Sequence, residues 1–392
     1  MQLYQNFVNP IQDKLNQLQV VRIATYAARQ YVKSGAASNE KVDEAIRILE
    51  GLAKCRKEIG EQAYVVAAVE IASLQLLKGN SKAYPVELPK KEDDATRTST
   101  TEQKETSGQT QESDVKMGGD QKEEEEEEDK KKPLTGTDFC KRTLENEAYT
   151  LQELKGKGLD PIVPATFYRV ASEYYKVRGP AASYFSNAMQ YLVHTPLQSL
   201  KEEDRHKLAV DIALAALVGN NVYNFGELVS HPILASLEGT QESWLSDMLH
   251  TFQHGDIQGF NNLIAQNRKA FEQQPILSAN EESIKEKIAL LAVMETGAKK
   301  PPHDRTLSFD EISQATQLKK DQVEWMLMRA MSLGLIKGHI DQVSEIVSIT
   351  FIKPHVLDMS QIERLKSSLV SWESKVKEAQ SLVEDGSVEL FK

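Results

Sequence analysis

Through most of the 392-residue chain, apolar side chains recur every third or fourth position, the spacing of helices that bury one face. In VDEAIRILEGLAKCRKEIGEQAYVVAAVEIASLQLL they fall at Ile46, Leu49, Leu52 and Ala53, then at Val65, Val66, Val69, Ile71 and Leu74, and Gly60 parts the two runs into a helix pair. In ATFYRVASEYYKVRGPAASYFSNAMQYLVH, Phe167, Val170, Ala171 and Tyr174 share one face, and Tyr184, Ala188, Tyr191 and Leu192 the next. Gly179-Pro180 lies between them, and proline suits a first helical turn, where its missing N–H has no partner to lose. KLAVDIALAALVG follows, apolar nearly all round, which predicts a helix sandwiched between neighbours. Hairpins stacked in this way make a TPR-like helical-repeat solenoid, although no strict sequence period can be counted.

NFGELVSHPILASLEG, from Asn224 to Gly239, interrupts this array. Asn224 followed by Glu227 has capping-box spacing, which predicts a helix start at Asn224. Gly226 permits the close approach of a neighbouring backbone. His231 before Pro232 is pushed out of helical ψ and marks a break, so it reads as punctuation rather than as a working base.

The period changes in LSFDEISQATQLKKDQVEWMLMRAMSLGLIKGHIDQVSEIVSITFIKP. Ser308 and Glu311 form a capping box, Leu307 can staple onto Ile312, and a short helix carries Ile312 and Ala315 inward. After a turn at Gln317-Leu318, a second helix aligns Val323, Met326, Leu327, Ala330 and Leu333 and stops at Gly334. LIKGHI and EIVSITFI then alternate as two strands, with Val347, Ile349 and Phe351 on one face. Helix, turn, helix and hairpin describe a winged helix. Lys319, Lys320 and Arg329 on its second helix are mixed with Asp321 and Glu324, and Trp325 faces water, which argues against nucleic acid. An exposed strand edge beside an apolar helix suits another protein's sheet, with Ile346, Ser348 and Thr350 as candidate contacts.

The last element points to a partner protein more strongly. Ile362, Leu365, Leu369, Trp372, Val376, Ala379 and Val383 are spaced alternately by three and four, a heptad seam. Ser360 with Glu363 offers a start and Gly386 a stop. The seam either packs back on its own domain or inserts into a bundle with helices of other subunits.

Composition narrows the rest. The longest apolar stretch, Leu208 to Val218, carries Asp211 and falls short of the roughly 20 residues a membrane span needs. Met1 is followed by neither a basic head nor an apolar core, so no signal peptide is expected. Cys55 and Cys140 form no CxxC pair, which predicts neither a disulfide framework nor a thiolate metal site and suits a reducing compartment, cytoplasm or nucleus. Of the net charge of −11, more than half comes from Lys90 to Lys132, where 15 acidic residues face 9 basic ones. That run is nearly devoid of apolar residues and is expected to be a disordered tether. No GxxxxGK loop, HxH or HExxH pair occurs; His250 and His254, with Asp256 nearby, have helical spacing but read as solvent-facing. Catalytic, cofactor and metal roles are therefore assigned to no residue.

With its helical repeats, NNVYNFGELVSHPILASL, LSFDEISQAT, AMSLGLIKGHID and the terminal helix, the chain resembles a PCI-domain protein, and within that family the subunits of the proteasome lid. The signalosome and a translation-initiation factor share the architecture. The resemblance implies a non-catalytic scaffold in a hetero-oligomer: winged helices joined edge to edge, terminal helices gathered into a bundle, and helical arms positioning base subunits or a ubiquitin receptor. It implies no nucleic acid or membrane partner. The expected organisation is repeats over residues 1–80 entered mid-array, an acidic insert over 81–135, repeats over 136–184, a PCI domain over 185–355 with its winged helix at about 303–353, and a bundle helix over 356–392. The insert and the start depart from the family pattern, as does Lys319, which stands where a capping Ser or Thr is usual.

Overall fold

The computed structural model describes residues 16–33, 39–54, 60–86, 135–300, 305–354, 356 and 359–386, which divide into two units, residues 1–199 and 200–392. The first contains α1 (Gln17–Lys33), α2 (Asn39–Ala53), α3 (Glu61–Leu76), α4 (Gly136–Lys155), α5 (Ile162–Arg178) and α6 (Ala181–His194). Each packs on its neighbour, and α3 also contacts α1 and α5. An unbroken run from Ala63 to Ala72 is buried, so α3 needs neighbours on every side, and Gly60 starts it at φ +85°, a conformation costly for other residues. Glu70 lies inside this run, held by Arg29 of α1 and Arg169 of α5; Arg169 also reaches Glu173. Burial pushes the Glu70 carboxyl up, but the guanidiniums of Arg169 and Arg29 outweigh it and hold the pKa below the usual carboxylate range.

The ends of the acidic insert are part of this fold. Lys82 bridges antiparallel to Thr135, Gly136 N–H donates to the Ser81 carbonyl at 3.1 Å, and Thr137 N–H donates to that of Gly79 at 3.2 Å. A Cβ on Gly136 would strike the Gln75 carbonyl. The Gln75 amide accepts from Tyr84 N–H at 3.0 Å and donates to its carbonyl at 2.9 Å. Residues 81–86 and Thr135 are thus ordered, which narrows the expected insert; the rest of it lies outside the described residues. Because α6 packs on α5, the first unit also runs one helix beyond the expected boundary at residue 184. Cys140 is fully buried; burial pushes its thiol up to about 12, so it holds no thiolate near neutral pH. Cys55 lies outside the described residues.

The second unit begins with α7 (Glu202–Val218), α8 (Gly226–Val229) and a 3-10 segment (Pro232–Leu237). Then come α9 (Ser243–His254), α10 (Ile257–Gln266), α11 (Arg268–Gln273), α12 (Pro275–Ala279) and α13 (Glu281–Lys299). Helix α7 starts with Glu202, Glu203 and Asp204, which favour its N-terminal dipole, and buries Ile212 to Leu217 against its neighbours. Its last carbonyls meet a buried lysine: Lys287 of α13 donates to Ala216 (2.6 Å), Leu217 (3.3 Å) and Gly219 (2.9 Å). The expected cap at Asn224 does not form. Helix α8 is four residues long, starts after Phe225 and has no side-chain cap, because the Asn224 side-chain Oδ1 accepts from Val356 N–H instead. His231 caps the 3-10 segment, its Nδ1 accepting from Ile233 N–H at 3.2 Å; burial lowers its pKa, which favours the neutral ring this bond requires.

The winged helix contains β1 (Thr306–Ser308), α14 (Phe309–Thr316), α15 (Lys320–Ser332), β2 (Ile336–Asp341) and β3 (Ile346–Ile352). The capping box is complete: Ser308 Oγ accepts from Glu311 N–H, and Glu311 accepts from Ser308 N–H, both at 3.2 Å. Gln317 takes the left-handed turn at φ +56° and Gly334 closes α15 at φ +67°. Val323, Met326, Leu327 and Ala330 are buried as the spacing predicts. The sheet has strand order β1-β3-β2, all antiparallel, one strand more than expected. After a hairpin with its tip at Val343, the chain continues past Val356 into α16 (Met359–Gly386), which at 1.5 Å per residue is about 42 Å long.

Candidate partner interface

Helix α16 carries all seven seam residues: Ile362, Leu365, Leu369, Trp372, Val376, Ala379 and Val383. Every described side chain from Ile362 to Glu384 is exposed, and Trp372 is 66% exposed. Among the described residues nothing covers the seam. Lys377 and Glu373 pair along the polar side, an exposed contact of small value.

At the sheet, Ile346, Ser348 and Thr350 do face outward, but they do not lie on an edge as expected. β1 pairs with β3 over Ser308↔Ile346, Leu307↔Val347 and Thr306↔Ser348, while β2 pairs along the other side. The backbone of β3 is therefore committed on both sides at Ile346 to Ser348, and the free strand edges belong to β1 and β2. The register also slips between Lys337↔Phe351 and Gly338↔Ile349, which leaves Thr350 as the extra residue of a bulge. Val347 and Ile349 point inward as expected; Phe351, expected beside them, is 43% exposed, and Ile352 turns half-inward in its place. Lys337 Nζ covers the Phe351 ring at 5.4 Å. Gly338 signals this: a Cβ there would strike the Ser348 carbonyl, and an interior strand glycine marks such a close approach. The three-residue β1 is too short for any alternation to reveal.

On α15 the cations are already engaged. Lys320 pairs with Asp310 (3.0 Å) and Glu345, and Arg329 pairs with Glu286 (3.1 Å). Lys320 consequently has its pKa raised by hydrogen bonds to Glu345 and Asp310. Trp325 is 54% exposed beside Met328. A helix whose charges are balanced within its own domain offers little to phosphates, whose recognition depends on unpaired Lys and Arg. His250 and His254 are exposed on α9, and the Asp256 carboxylate is occupied in capping α10 through Gly259 N–H at 3.0 Å. Among the described residues no three His, Cys, Asp or Glu converge as metal ligands, and no helix is long and apolar enough to cross a membrane.

A helical-repeat unit followed by a winged helix and a projecting terminal helix defines the PCI class of proteins, and a PCI domain family model matches residues 264–351. A second model, PSD13 N-terminal repeats, matches residues 1–112 and 124–249. The 26S proteasome non-ATPase regulatory subunit 13 of Dictyostelium discoideum is 40% identical over 252 residues, covering 64% of this chain and 65% of that protein, a little under two thirds of its length. Subunit 13 homolog B of Arabidopsis thaliana is 32% identical over 376 residues, covering 96% of this chain and 81% of that protein. Homolog A of the same plant is 38% identical over 237 residues, covering 60% and 61%. The chain belongs to the family of 26S proteasome non-ATPase regulatory subunit 13.

Proposed function

We propose that this chain is a non-catalytic scaffold subunit of the lid of the 26S proteasome regulatory particle, supporting lid assembly and thereby ubiquitin-dependent protein degradation. The observation that carries the reading is the exposed heptad seam of α16, seven apolar positions on one face of a helix with none of the described residues packed over them. The free edges of β1 and β2 support a second contact by strand addition with the winged helices of other PCI subunits. Base subunits or a ubiquitin receptor are the partners we assign to the repeat unit, and cytoplasm and nucleus are the compartments.

The test is affinity purification of native complexes through a tag on this chain that leaves α16 free, alongside a version ending at Asp358. Lid and base subunits identified with the full chain should fall at least tenfold with the truncation. Equal recovery by both would move the main contact to the winged helix and repeats. Signalosome or initiation-factor subunits, or none at all, would overturn the assignment.

A further inference from the structure

A seam that awaits partners must be presented in a definite direction, and the base of α16 is held by a loop far from it in sequence. The Asn224 side-chain Oδ1 accepts from Val356 N–H at 3.3 Å. Gly226 is buried against the same residue: a Cβ there would lie 2.9 Å from both Val356 Cβ and the Val356 carbonyl oxygen, so no larger side chain fits without displacing it. Between them Phe225, 2% exposed, packs its ring 5.3 Å from that of Phe252, which in turn meets Phe260 edge-on at 5.5 Å. Lys287 Nζ stands 5.0 Å from the Phe225 ring while it ties the end of α7. The loop is thus anchored in the core of its unit on one side and grips Val356 on the other. Only Leu357 and Asp358 separate that grip from the start of α16.

We infer that Asn224, Phe225 and Gly226 form a seat for Val356 that fixes where and in which direction the terminal helix leaves the winged helix, and so prepares the seam for assembly. The assembly role rests on the scaffold reading above. A helix on a free hinge must lose orientational freedom when its partners bind; a seated one has lost much of it already, and binding is stronger for the same contacts.

The test uses the full-length chain with spin labels on cysteines replacing Ser332 of α15 and Ser371 of α16, both exposed, with Cys55→Ser throughout and buried Cys140 left in place. Electron–electron distance measurements are expected to give a narrow distribution for the otherwise native chain. Gly226→Val should broaden it at least twofold and reduce recovery of lid subunits at least fivefold. Asn224→Ala and Val356→Gly remove the grip without adding bulk and should act in the same direction, so misfolding of the valine variant would not decide the matter. Unchanged distributions in these milder variants overturn the seat. Broadened distributions with undiminished recovery overturn its part in assembly. Failure of the native chain to recover lid subunits counts against the scaffold reading, while the distances still decide the seat.

Discussion

Lys287 is a cation buried against carbonyls rather than a carboxylate, and burial pulls its pKa down to about 7. An unfolded lysine titrates near 10.4, so between about pH 7 and 10 the unfolded chain holds more protons than the folded one, and stability rises with pH across that window. Urea unfolding of the 200–392 unit should therefore show greater stability at pH 9 than at pH 7, and Lys287→Met should flatten that dependence. The same variant leaves three carbonyls at the end of α7 without their donor and is expected to cost about 2 kcal/mol at pH 7. At this scale the sequence was readable where a residue acts on its neighbours: His231 punctuates, Ser308 and Glu311 cap, Gly334 closes. Asn224 was not, because its partner Val356 lies far along the chain and a local capping pattern looked complete without it. Nor did any spacing reveal that Lys287 meets the end of α7.

Among the elements, the helices were legible from periodicity and the sheet only in part. Burial on one face leaves its mark every third or fourth residue, whereas β1 is too short to alternate and the Thr350 bulge inverts the alternation of β3 midway, moving Phe351 outward. The edge assigned to β3 belonged to β1 and β2 for the same reason. One element carries a correctable weakness: the N-cap of α15 is Lys319, whose extended backbone is right for a cap but whose side chain accepts no amide hydrogen. Lys319→Ser should stabilise the winged helix by about 1 kcal/mol and raise the melting temperature of its unit by about 2–4 °C, read by calorimetry. No change would mean that the first-turn amides of α15 are already satisfied by water.

At the scale of the whole molecule, the change of period marked the winged helix, while the limits of the two compact units were not legible. The first unit takes in α6 because packing on α5, not the Gly179-Pro180 turn, decides membership. Residues 81–86 likewise belong to the helical unit rather than to the insert expected from residue 81, since Tyr84 still pairs with Gln75. Replacing residues 87–134 by about six Gly/Ser residues should leave the helical unit folded. If the run is the disordered tether its composition predicts, shortening the loop should raise stability by about 1–2 kcal/mol, from the logarithmic cost of closure. Chemical denaturation and circular dichroism of the two forms check this; loss of helical signal would show that the insert contributes to the core.

The Lys82–Thr135 bridge gives that junction a further meaning. Chain leaves and returns there side by side, so the helical frame itself holds the two ends of the segment together like a closed clasp. A fluorescent domain or a new recognition peptide could hang from the same point while the helices keep their places.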